Sequence, residues 1–70
     1  MNRLRQVRKA MRLSARELSE LSGISMLSIY RYETGERSPR ISDLDKLANA
    51  MRVSVFDLIG PNERQHKKGR

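Results

Sequence analysis

The sequence predicts an all-α bundle of five short helices, and three observations carry that expectation. Serine precedes four apolar-periodic stretches, at Ser14, Ser25, Ser42 and Ser54. Three of these serines have an acidic residue three positions on: Glu17, Asp45 and Asp57. That pattern marks helix starts, because the serine oxygen and the acid satisfy each other's free backbone N–H groups. Only 4% of the 70 residues are aromatic, so the core must come from Leu, Ile, Val and Met, which suits helix-on-helix packing. The chain has no Cys, and neither a disulfide nor a thiolate metal site can hold it together.

Residues 2–11 form the first helix, with Leu4, Val7 and Met11 on one stripe. Arg3, Arg5, Arg8, Lys9 and Arg12 crowd the same segment without an acid among them. That basic face is either solvated or turned toward phosphates. A membrane-surface helix is disfavoured, because three apolar residues offer little area to insert.

The second helix begins at the Ser14–Glu17 capping box, runs through Leu18 and Leu21, and stops at Gly23, which tolerates a left-handed backbone. Ile24 packs as the chain turns, and Ser25 caps the third helix. Helical periodicity points Ile29 and Tyr32, with Ser25 and Ser28 beside them, toward the core. Met26, Leu27, Tyr30 and Arg31 then point outward. Two short helices across a tight turn are helix-turn-helix geometry, with the second helix free to enter a DNA major groove.

Residues 34–41 read as a loop, with Gly35 capping helix 3 and Pro39 blocking its continuation. Ser42 is expected to cap a fourth helix over Asp43–Met51, with Asp45 at its third position and Leu44, Leu47, Ala48 and Met51 inward. Ser54 caps a fifth helix through about Ile59, closed by Gly60-Pro61. Val55 and Leu58 complete the core, leaving Phe56 and Ile59 partly exposed. The strings Ala10–Leu18 and Ala50–Leu58 match in type, one local solution used twice: helix end, turn, apolar plug, Ser cap, acid, Leu. Residues 1–60 are read as one domain. Residues 61–70, polar and basic, are expected to be a disordered tail, and His66 lies within it.

With these residues in place, the chain resembles the lambda-repressor/Cro family of small bacterial and phage regulators, the xenobiotic-response-element type. Leu4-Arg5-x-Val7-Arg8, Leu13-Ser14-x-x-Glu17-Leu18 and Ser22-Gly23-Ile24-Ser25 carry the first half of the match. Ile29-x-x-Tyr32-Glu33-x-Gly35, Pro39, Leu44-x-x-Leu47-Ala48 and Val53-Ser54-x-x-Asp57-Leu58 carry the second. The resemblance implies a lambda-repressor-like bundle with the helix-turn-helix formed by helices 2 and 3. It also implies a buried ion pair between Arg8 and Glu33, tying helix 1 to the end of helix 3. Arg12 and Arg52 stand where relatives often place Gly or Asn.

Site residues follow from the same resemblance. The base-reading positions match Ser25, Met26, Leu27 and Arg31, with Ser28 and Tyr30 close by. Phosphate contacts fall to Ser14 and the free amides of helix 2 with Arg16, and to Arg37 and Arg40 in the loop. Solvated loop arginines are the alternative for the last two. Relatives often carry Gln at the positions of Ala15, Met26 or Leu27, so amide recognition of adenine is absent here. Arg31 is left to bond guanine, and Met26 and Leu27 to touch thymine methyls. Phe56 and Ile59 are candidates for a dimer contact, against the plainer reading of isolated surface apolar residues.

Charge agrees with a polyanionic partner: 15 Lys plus Arg face 8 Asp plus Glu, a formal +7. No run of about 18 apolar residues could span a membrane. The basic N-terminus lacks the apolar stretch of a secretory signal, so a cytoplasmic, nucleoid-associated location is expected. Catalysis is not expected, since the cap-position serines are explained by capping and His66 stands outside the packed region. No cofactor is expected, and 70 residues leave no room for a ligand-sensing domain. The expected function is a sequence-specific DNA-binding regulator, a repressor acting as a homodimer on a pseudo-palindromic operator. The alternative is an antitoxin-like or adaptor module whose exposed Met26 and Leu27 bind a protein partner.

Overall fold

Four α-helices and a closing 3-10 turn make up residues 3–59, the part of the chain that the computed structural model describes. The helices are α1 (Leu4–Ala10), α2 (Ala15–Ser22), α3 (Met26–Thr34) and α4 (Ile41–Met51), followed by the turn Val55–Leu58. The described residues contain no strand. The all-α class therefore stands, with the fifth helix realised as a single 3-10 turn. Only four residues separate the Ser54 cap from Ile59, which has returned to extended backbone, and that is too short for an α-helical ladder.

Helix ends are built locally. Glu17 N–H donates to Ser14 Oγ at 3.0 Å and Ser14 N–H donates to Glu17 Oε1 at 2.8 Å. Ser54 and Asp57 repeat the same reciprocal box at 3.3 and 3.0 Å. Gly23 and Gly35 end α2 and α3 in the left-handed region, at φ 79° and 83°. Arg12 and Arg52 take the same conformation at φ 60° and 59°. After each arginine the next N–H reaches back five residues, Leu13 to the Arg8 carbonyl and Val53 to the Ala48 carbonyl. Ala10–Leu18 and Ala50–Leu58 are thus one construction made twice.

Leu4, Leu18, Ile29, Leu47, Met51 and Leu58 are fully buried, joined by Ala15, Ile24, Tyr32 and Ala48. Each large apolar side chain taken from water contributes about 1.5–3 kcal/mol, the main favourable term for so small a core. α2 packs on α3 and α4, α1 on α3 and the closing turn, and α4 on that turn. Arg3 N–H donates to the Leu58 carbonyl at 2.9 Å, fastening the start of α1 to the closing turn.

Several expectations need correction. α4 starts at Ile41, with Arg40 rather than Ser42 as its N-cap and no side-chain cap bond. Asp43, not Asp45, then occupies the third position, where it accepts a hydrogen bond from the Tyr32 hydroxyl. α4 thus starts two residues earlier than expected, and Asp43 in its first turn links it to α3. Met11 is exposed rather than inward, since α1 ends at Ala10 and partly buried Leu13 fills the neighbouring space. Ser25 is also exposed, its oxygen committed to capping α3. The Gly60-Pro61 stop, the basic tail and His66 lie outside the described residues.

Candidate nucleic-acid interface

α3 has two unlike faces. Its back is anchored by Ile29 and Tyr32, both buried, and the Tyr32 hydroxyl donates to Asp43 Oδ2 of α4. Its front carries Met26, Leu27 and Tyr30 at 39%, 59% and 47% exposure, a set of large side chains left uncovered by the rest of the fold. The half-exposed Arg31 projects beside them, with its Nε 3.8 Å from Glu36 Oε2. At that distance, with both side chains largely in water, the pair steers the guanidinium without holding it.

The two serines at the start of α3 are partly committed. Ser25 Oγ accepts from the Ser28 N–H at 3.1 Å and donates to Ser28 Oγ at 3.0 Å. Ser14 is spent in the same way on its capping box, which leaves the Ala15 and Arg16 amides at the start of α2 without intrahelical partners. Arg16, Arg37 and Arg40 are exposed. Arg37 N–H donates to the Arg31 carbonyl at 3.1 Å, folding the loop back on the end of α3.

Behind this surface lies a buried clamp. Arg8, 8% exposed, donates from Nε to Glu33 Oε2 at 2.6 Å and from Nη2 to Glu33 Oε1 at 3.1 Å. Its Nη1 donates to the Leu13 carbonyl at 2.9 Å. One side chain thereby joins α1, the α1–α2 turn and the C-terminal end of α3. The hydrogen bond to Glu33 raises the Arg8 pKa above its ordinary value, against the opposing effect of burial, with help from the charges of Glu33 and Tyr30. Tyr32 is likewise raised, first by its bond to Asp43, then by burial and the Asp43 charge, while nearby Arg37 and Arg40 oppose the shift.

The helix-turn-helix family profile matches residues 4–58. The chain belongs to the helix-turn-helix family, in its lambda-repressor/Cro type. A curated relative is the cryptic phage CTXphi transcriptional repressor RstR of Vibrio cholerae serotype O1 (strain ATCC 39315 / El Tor Inaba N16961). It is 36% identical over 58 residues, covering 83% of this chain and 52% of RstR, so the chain spans about half the length of that relative. No solved structure matches. In the motif of this family α2 is the first helix and α3 the second.

The fold gathers Met26, Leu27, Tyr30 and Arg31 on one side of α3, and sets Arg37 and Arg40 in the loop that follows it. Phe56, at 71% exposure, and half-buried Ile59 belong to the closing turn and the residue after it. Two participants were not legible beforehand. Asp43 braces α3 from behind, and Glu36 stands beside Arg31 in front. An acid at the third position of α4 is the available signal for Asp43, but the Ser42 cap gives that position to Asp45 instead. Among the described residues no acidic, His or Cys cluster could hold a metal, and no helix is long and apolar enough to cross a membrane.

Proposed function

We propose that the chain is a sequence-specific repressor that binds a pseudo-palindromic operator as a homodimer. The observation that carries this reading is the division of α3, with Ile29 and Tyr32 fixed behind it and four adjacent side chains uncovered in front. A helix held from behind can enter a major groove without rearranging the core. The repressor named among the relatives agrees with the direction of the activity.

In the bound state Arg31 bonds guanine O6 and N7, while Met26 and Leu27 cover thymine methyls and exclude water. Ser25, Ser28 and Tyr30 fill the edges of that contact. Ser14 and Arg16 with the free α2 amides hold one phosphate segment, and Arg37 and Arg40 hold another. Phe56 and Ile59 join two copies, placing their α3 helices about 34–36 Å apart along one face of the duplex. Selection of bound duplexes from a random pool tests the whole reading. The expected product is an inverted repeat with a conserved guanine and flanking thymines in each half. Recovery of unrelated duplexes in equal measure would refute it.

One observation favours a second reading. Leu21 is 61% exposed at the end of α2, so the α2–α3 turn carries Leu21, Met26 and Leu27 as uncovered apolar residues. A protein partner could cover all three, as in an antitoxin or adaptor. A stoichiometric partner retained in the absence of DNA, and lost in Leu21→Lys, would favour it.

A further inference from the structure

Four acids of this chain have folding duties. Glu17 and Asp57 close capping boxes, Glu33 pairs with Arg8, and Asp43 accepts the Tyr32 hydroxyl. Glu20 and Asp45 are exposed on the bodies of α2 and α4. Glu36 differs from all of these. It lies two residues past the end of α3, its side chain is 66% exposed, and its Oε2 is 3.8 Å from Arg31 Nε. An exposed pair at that distance adds little stability. Beside a duplex, a carboxylate there opposes the approach of phosphates. Neither folding nor general affinity for DNA accounts for an acid at this place.

The turn that follows α3 builds the placement. Gly35, at φ 83°, reverses the chain. The Thr34 hydroxyl donates to the Arg31 carbonyl at 3.2 Å, and the Glu36 N–H donates to Thr34 Oγ1 at 3.4 Å. On the far side, the Arg37 N–H donates to the same Arg31 carbonyl at 3.1 Å. Bonds before and after Glu36 therefore return to Arg31. Carboxylate and guanidinium are kept as neighbours by the backbone, although the ion pair itself is weak. The contact is made at Nε, and the two terminal nitrogens suffice for a bidentate bond to guanine.

We propose that Glu36 is a positioning residue for sequence reading, acting through Arg31. A phosphate attracts Arg31 by charge, which the neighbouring carboxylate offsets. Guanine O6 and N7 engage it by direction and fit, which the carboxylate leaves in place. Glu36 thus lowers affinity for DNA at large and sharpens the choice of base. This rests on the DNA-binding reading above and adds an acid to a contact set made of cations, hydroxyls and apolar groups.

Glu36→Gln is the test, because the amide keeps the shape and removes the charge. The probes are the operator selected from the random pool and the same duplex with its conserved G·C pair replaced by A·T. Binding is followed by anisotropy from low to moderate NaCl concentration. On the substituted duplex, the slope of log K against log salt should steepen by about 0.9, as for one added phosphate contact. Preference for the operator should fall by up to about fivefold, the scale of an exposed ion pair. The melting temperature should stay at the parent value. Glu36→Asp should keep the parent slope, and in an Arg31→Ala background Glu36→Gln should change neither slope nor preference. Parent slope and preference in Glu36→Gln overturn the proposal. Equal changes with and without Arg31 also overturn it, since Glu36 would then be a plain surface charge. Both results leave DNA binding intact, whereas a parent protein that does not distinguish the two duplexes overturns the underlying reading.

Discussion

The Tyr32 hydroxyl donates to Asp43, joining the buried face of α3 to the first turn of α4. The bond fixes the helix from behind, so the exposed face is presented at one angle. Tyr32 carries the chemistry that a phenylalanine of the same shape would lack.

Tyr32→Phe should therefore destabilise the protein by about 1.5–3 kcal/mol, the range for a hydrogen bond to a charged group. In a domain of this size the melting temperature would drop by about 4–8 °C per kcal/mol. The pH dependence follows from the raised Tyr32 pKa. The folded state holds the phenolic proton more tightly than the unfolded chain, so the contribution is complete below the unfolded tyrosine value. It is lost as pH climbs from there through the folded value. Melting curves from neutral to strongly alkaline pH should converge for parent and variant at the alkaline end. A constant gap across that range would contradict the assignment.

Arg8 and Glu33 should behave as a unit. Removing either partner alone, as Arg8→Ala or Glu33→Gln, leaves a buried group uncompensated at a cost of about 3–5 kcal/mol. Replacing both by Met and Leu should cost far less, because the pair's attraction is largely offset by its desolvation. Urea midpoints of the two single variants and the double variant check this. Additive losses would mean that the clamp is not the coupled element described above.

Arg31→Ala should leave stability within about 0.5 kcal/mol, since the side chain is half exposed and its ion pair with Glu36 is weak. Discrimination at one base position of a selected operator should nevertheless fall by about 1–3 kcal/mol. The comparison is between operators that differ only at the conserved guanine. Unchanged preference in Arg31→Ala would remove that residue from the base-reading set.

Phe56→Asp should separate dimerisation from folding. Phe56 is 71% exposed, so a carboxylate there costs the monomer little. If the closing turn joins two copies, sedimentation should show a monomer and operator affinity should fall steeply, while the unfolding midpoint of the dilute protein is retained. A dimer that persists in Phe56→Asp would place the contact elsewhere.

The features legible in the sequence are those made within a few residues. The Ser14–Glu17 and Ser54–Asp57 boxes, the left-handed Gly23 and Gly35, and the twin arginine turns were all readable. Each is a hydrogen-bonded ring closed by neighbours three to five positions apart, and its geometry follows from residue type and backbone sterics. Periodicity likewise separated Ile29 and Tyr32 from Met26, Leu27, Tyr30 and Arg31, because a helix assigns its faces by a fixed rotation per residue.

What needed the folded structure depends on partners far along the chain. α4 starts two residues before the place its serine suggests, and its first-turn Asp43 bonds Tyr32, eleven residues earlier, a contact that no local rule registers. Met11 and Leu21 satisfied an apolar spacing yet stand exposed, since a stripe becomes core only where another helix covers it. The Arg8–Glu33 pair was expected from the resemblance, whereas Glu36 beside Arg31 and the bond from Arg8 to the Leu13 carbonyl are products of packing. Local chemistry set the capping boxes and the left-handed stops, and tertiary contacts chose which faces meet water and which distant side chains pair.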